Sequence, residues 1–260
     1  MTLDLYWAIL ESLDENFPKI SASVEPPVIT KRNEVLVFRY TQRSVEQALV
    51  LKAARVCSGL HAAFVLLQSG YLQELQALYR MLDEFGEDII FIGDIIVSEK
   101  ITPLHQQFLD DFLAEEFDVD GEPFQSSQKR KRVPRQKIQA SIARQAVFPI
   151  NPSDGQEVHR TLTKTMSGYV HGASPHIMEM YGGTPERYHT AGFLGTLPFA
   201  HAISGALNYF YRGLLNVTYV AILLRCDEAE SELRKIKDNV EELTGAGQSD
   251  VEETLKKSKR

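Results

Sequence analysis

Residues 71–97 read Tyr-Leu-Gln-Glu-Leu-Gln-Ala-Leu-Tyr-Arg-Met-Leu-Asp-Glu-Phe-Gly-Glu-Asp-Ile-Ile-Phe-Ile-Gly-Asp-Ile-Ile-Val. At about 100° per residue, Leu72, Leu75, Leu78, Leu82, Phe85, Ile89 and Ile96 fall on one face, the pattern of a long amphipathic helix. Gln73, Arg80 and Glu84 lie on the opposite side. Arg80 and Glu84 are four residues apart and can pair. Met81, Phe91 and Ile95 border them, so the pair is expected to be partly buried, and a buried pair needs further hydrogen-bonding partners.

The segments on either side continue the helical pattern. Ser44 with Gln47 forms a capping-box signature for a helix running to about Gln68, which Ser69-Gly70 breaks. Upstream, Leu3 to Phe17 carries Leu5, Ile9, Leu10 and Leu13 as a short amphipathic helix, and Pro26-Pro27 stops any helix there. Val35-Leu-Val-Phe38 is consistent with one short strand or an extended linker. Downstream, Pro103 starts a helix ending near Phe117, and Arg135 to Val147 reads as a basic amphipathic helix. A further helix begins near Ser153 or Asp154 and ends around Tyr169–His171. Gly172 to Pro185 reads as irregular. A long helix follows from Pro198 to about Cys226, in which Gly205 and Gly213 would permit close contact, and Asp227 to Leu243 is a charged terminal helix. Strands neither form a ladder nor alternate with helices. The expected fold is therefore all-α: an irregular bundle of six to eight helices forming a single domain over 1–244, with a basic loop at 118–137 and a disordered tail at 245–260.

The composition is that of a folded protein, with 43% hydrophobic and 24% charged residues in a chain of 260. No secretory signal pattern opens it, and Cys57 and Cys226 read as small core residues kept reduced, so a cytoplasmic location is expected. The apolar tract Gly213 to Leu224 is short of the ~20 residues that cross a bilayer, which argues for a buried helix and against a membrane partner. The net charge is −7, which disfavours general phosphate binding. One cluster departs from it: Lys129, Arg130, Lys131, Arg132, Arg135 and Lys137 place six cations in nine residues without an acid. They are the candidate contacts to RNA or an acidic partner.

The chain has no phosphate-binding loop, dinucleotide fingerprint, serine-hydrolase elbow or zinc-protease helix motif. Five of seven histidines lie between 159 and 201, but their spacing fits no metal-ligand pattern, and neither a metal nor another cofactor is expected. Arg160, Lys164, Ser167 and His171 would share one cationic stripe if their helix is regular. Tyr169 and His171, at a helix end before Gly172, are chemically suited to complete a polar site with Arg80 and Glu84.

The run from Leu67 to Glu84, followed later by Ser167-Gly-Tyr-Val-His-Gly172, resembles elements of a group of bacterial helical proteins that is similar to the HEPN superfamily (higher eukaryotes and prokaryotes nucleotide-binding). The resemblance covers residues 45–175. It implies a helical fold, and a role linked to RNA or phage defence. The nuclease motif of that superfamily, Arg-x(4–6)-His, is matched by Arg55 and His61, with Val56 where a polar residue is usual. Two functions follow. One is a binding or regulatory module that dimerises or takes a partner. The other is a metal-independent RNase or nucleotide-transfer enzyme, with His171 as acid/base, Arg80 as anion clamp, and Glu84 and Tyr169 beside them.

Overall fold

The computed structural model describes residues 3–32, 35–117, 123–127, 129–145 and 165–246. The fold is an all-α irregular bundle. Among the described residues its helices of eight residues or more are α1 (Leu3–Ser21), α2 (Val45–Ser69), α3 (Leu72–Ser98), α4 (Pro103–Phe112), α5 (Arg135–Ile142), α8 (Leu197–Gly205), α9 (Leu207–Leu223) and α10 (Asp227–Thr244). Between α5 and α8 lie a helical segment over 165–171 (α6) and the short α7 (Ser174–Met178). The described residues also hold a 3-10 turn (Pro123–Gln125) and two small antiparallel pairs: β1 (Val28–Arg32) with β2 (Val35–Arg39), and β3 (Tyr181–Gly182) with β4 (Arg187–Tyr188).

The central layer is α2, α3 and α9, which pack on one another. α1 crosses α2 and α9 on one side and is closed off by α10, while α5 lies on α3. From α3, Leu75, Leu82 and Ile89 enter the core together with Phe91 and Ile92. α2 is packed on several sides, and Leu49, Ala53, Leu60, Ala63 and Leu67 are fully buried. α2 is long and apolar enough to cross a bilayer by composition, with mean hydropathy 1.5 over its most apolar window, but more than half of that window is buried inside the bundle. The tract that begins at Gly213 is also a core element, with Leu214, Val217, Val220 and Ala221 inaccessible.

Close approach of α2 and α9 requires the glycine at 213. A Cβ there would stand 2.5 Å from Leu60 Cδ1. Gly205, by contrast, has open space around it, and beside it the expected single helix over 198–226 is interrupted at Ala206. α1 runs past the expected end at Phe17 through Pro18, and its last turn is closed by Ser21 and Ser23, whose hydroxyls donate to the Pro18 and Ile20 carbonyls. The capping box of Ser44 with Gln47 is present at α2, and Gly70 ends that helix in the left-handed region at φ 75°. The extended stretch at Val35–Phe38 is half of a hairpin, because Val28–Arg32 pairs with it.

α4 carries a capping box in which the N3 partner is a histidine. Thr102 accepts from the His105 amide, and His105 Nδ1 accepts from the Thr102 amide. The ring is 1% exposed and meets Phe91 edge-on at 4.4 Å. Burial holds the imidazole below its ordinary value of 6.5, opposed by Asp94, whose carboxylate is 3.8 Å from Nε2. A buried neutral imidazole binds fewer protons than the unfolded chain, so its contribution to stability falls away as the pH drops below 6.5. Glutamine is a natural N3 partner in a capping box. His105→Gln should therefore keep α4 while flattening the dependence of melting temperature on pH below 6.5. An unchanged slope would assign the acid sensitivity to other groups.

Candidate functional site

The polar side of α3 is organised by a four-residue step, Arg80, Glu84 and Asp88, with Glu87 beside it. Asp88 is 2% exposed, and each of its oxygens meets a cation from a different helix. Lys52 Nζ of α2 is 2.7 Å from Oδ2, and Arg135 Nη1 of α5 is 2.6 Å from Oδ1. The Lys52 ammonium also lies 4.1 Å from the centroid of the Phe112 ring, with Phe85 and Phe108 farther off. This apolar shelter leaves the Asp88 carboxylate as the main compensation for the ammonium charge. Arg135 reaches on to Glu87 at 3.5 Å and Glu84 at 3.7 Å. Glu84 in turn takes Arg80 at 2.8 Å, and Gln139 donates to Glu87 at 3.0 Å. The result is one chain of alternating charge, Lys52–Asp88–Arg135–Glu84–Arg80, sealed at Asp88 and more open at Arg80 and Glu84. Burial opposes the charge on Arg135, but Asp88, Glu84 and Glu87 outweigh it and raise the guanidinium above its ordinary value.

The six cations of the basic block do not form one face. Arg135 is turned inward as the first residue of α5, following Pro134. Arg130 is held at the end of α4, 2.9 Å from Asp111 and also paired with Glu116, and it donates to the Asp111 carbonyl. Asp111 at the end of α4 and Glu116 beyond it dock Arg130, and the acids of α3 take Arg135, so the block is tied down at two points. Lys129, Lys131, Arg132 and Lys137 are exposed.

Tyr169, another of the expected site residues, has its own partners. Its hydroxyl donates to Glu179 at 2.8 Å, and its ring meets His176 edge-on at 4.4 Å. Burial and then the Glu179 carboxylate push its phenol up to about 12, so it stays protonated at neutral pH. It lines a cleft of about 430 Å³ with Gln73, Gln76 and Tyr79 of α3 and with His201 and Tyr209. In this cleft Tyr79 and Tyr209 stack at 3.7 Å. His171 is exposed at the end of α6. Tyr169 is thus placed with Glu179, while Glu84 is placed with Arg80 and Arg135. Arg160 and Lys164 of the expected cationic stripe lie outside the described residues. Arg55 and His61 go to different neighbours: the Arg55 guanidinium is over Phe85 at 5.3 Å, and His61 meets Asp14 of α1 at 2.9 Å. Among the described residues no three His, Cys, Asp or Glu side chains gather as a metal site.

Sequence reasoning found the Arg80–Glu84 pair but missed Asp88 and Lys52. The signals were present: Asp88 extends the same four-residue step, and Lys52 is the one charge in the run Ala48-Leu-Val-Leu-Lys-Ala-Ala. Comparison of the chain with protein-family models, curated proteins and solved structures finds no match.

Removing one partner of a buried pair leaves the other stranded, at a cost of about 3–5 kcal/mol, whereas replacing both with apolar residues is often neutral. Asp88→Leu is therefore expected to destabilise the fold on that scale. Adding Lys52→Met should recover part of the loss, as read by urea denaturation of the two single variants and the double variant. Strictly additive effects would mean that the two charges do not act as a pair.

Proposed function

We propose that the protein is a HEPN-like helical binding or regulatory module acting in the cytoplasm, with RNA or an acidic protein as its partner. The observation that carries this reading is the position of Glu84, which is neutralised between Arg80 and Arg135 at the end of a buried charge chain. A carboxylate so held is a structural group rather than a general base. Tyr169, protonated and committed to Glu179, is equally unsuited to proton abstraction at neutral pH. The partner-facing charge is supplied by Lys129, Lys131, Arg132 and Lys137, which remain exposed after Arg130 and Arg135 are taken up by acids. A role in RNA handling or phage defence is the biological setting that the resemblance to HEPN proteins implies.

One observation favours the enzymatic alternative, a metal-independent RNase or nucleotide-transfer activity. His171 is exposed at the end of the helix that carries Tyr169, where an imidazole can exchange protons with a bound substrate. Under that reading His171→Ala abolishes turnover of RNA without loss of stability.

The binding reading is tested with a single-stranded RNA oligonucleotide. Each phosphate neutralised contributes about −0.7 to the slope of log K against log salt for single strands. Changing the four exposed cations to Gln should reduce the slope by up to about 3 and weaken binding across sequences alike. Binding with an unchanged slope would remove the block from the interface. If RNA does not bind at low salt, the nucleic-acid partner is excluded.

A further inference from the structure

We infer that the cleft between α3, α6, α8 and α9 is a binding site for a small organic cation, a primary amine carrying an apolar or aromatic body. The cleft has a volume of about 430 Å³, within the range of small-molecule sites. Leu72, Met166, Pro198 and Ala202 give it apolar walls, and the rings of Tyr79, Tyr169 and Tyr209 line it as well. Tyr79 is 2% exposed, and its hydroxyl is buried without a hydrogen-bond partner among the described residues. An orphaned group of this kind in a cleft wall is a mark of a site rather than of packing alone. The wall at Gly205 is unfilled: a Cβ placed there would meet nothing within 4 Å, and α8, which carries it, buries none of its residues.

The polar groups select the occupant. Among the described residues that line the cleft, Glu179 is the one carboxylate, and no Lys or Arg stands with them. Glu179 accepts from Tyr169 through Oε2 at 2.8 Å, and its Oε1 has no partner among the described residues. The side chains of Gln73, Gln76 and His201 are likewise uncommitted among the described residues. Arg212, over the Tyr209 ring at 5.4 Å, is itself held by Asp83 at 2.6 Å. A phosphate or carboxylate ligand would meet the Glu179 charge with no lining cation to offset it. An ammonium group instead gains the free carboxylate oxygen and the negative faces of the phenol rings. The two amides of α3 complete its hydrogen bonds, while the apolar body of the ligand lies on Leu72, Pro198 and Ala202. Glu179 is exposed to solvent, so the ion pair is screened and adds selectivity more than strength. The expected dissociation constant is on the order of a millimolar or somewhat tighter. This inference does not depend on the binding role proposed above, which rests on the basic block.

Calorimetric titration of the full chain at neutral pH with 2-phenylethylamine, 2-phenylethanol and phenylacetate tests it, the three probes having the same ring and differing in charge. The amine should bind at one site, the alcohol about fivefold more weakly, and the anion not measurably. Glu179→Gln should bring the amine down to the level of the alcohol and leave the alcohol unchanged. Gly205→Phe, which puts a ring into the open wall, should remove binding of both while keeping the wild-type melting temperature. Glu46→Gln makes the same charge change at an exposed site in the first turn of α2 and should alter neither. No heat of binding with the amine up to roughly 10 mM, phenylacetate binding as tightly as the amine, or wild-type affinity for the amine in either Glu179→Gln or Gly205→Phe would overturn the inference.

Discussion

A carboxylate taken almost entirely out of water has to be met by cations at its oxygens, and Asp88 is met by one cation from each of two neighbouring helices. Lys52 comes from α2 and Arg135 from α5, so the requirement of a single side chain on α3 fixes how three helices are juxtaposed. Apolar packing between α2 and α3 is broad, with Leu82 seated against Gly59. The Asp88 contacts add a polar constraint on the same register, because displacement of either partner leaves a charge in an apolar setting. The short α5 depends on this constraint most. It is eight residues long and polar on much of its surface, too short to be stable alone. Its buried Ile138 and Ile142 are guided onto α3 by Arg135 at its first position and by Gln139 on Glu87.

The same arrangement explains how charge is distributed on the surface. The basic stretch before α5 has to approach α3 for Arg135 to reach Asp88. The acidic residues at the end of α4 take Arg130 on the way, and what remains outward is four cations above an acidic ledge. The hairpin is held by a related device, in which Glu115 accepts Arg39 and Arg32. Acids after α4 therefore anchor two excursions of the chain, one basic and one apolar, and the apolar one is left with an open face.

How much of this was legible in the sequence depends on the length scale of the signal. α2 and α3 are legible because their apolar positions repeat over several turns, and the caps at Ser44 and Gly70 are local chemistry. The pairing of Arg80 with Glu84 was legible for the same reason. Asp88 was not recognised because its partners are distant in the chain, and Lys52 because one lysine in an apolar helix has no local signature of pairing. Arg135 falls in sequence among the candidate RNA-contacting cations, although α5 begins there after Pro134 and carries it inward. Val28–Arg32 did not read as a strand because Lys31-Arg32 ends it, and only the register with Val35–Arg39 makes it one. The Tyr169–Glu179 contact is not legible locally either, since Glu179 is supplied by the segment after Gly172, whose composition reads as irregular.

The central claim is that Asp88 holds α5 and α2 in register on α3. Hydrogen exchange followed by mass spectrometry, comparing the wild type with Asp88→Asn under native conditions, addresses it directly. The account predicts a marked loss of amide protection in peptides covering α5, with a smaller loss around Lys52 in α2, while α9 and α10 keep their wild-type protection. Unchanged protection in α5, or a uniform loss across all helices, would contradict it.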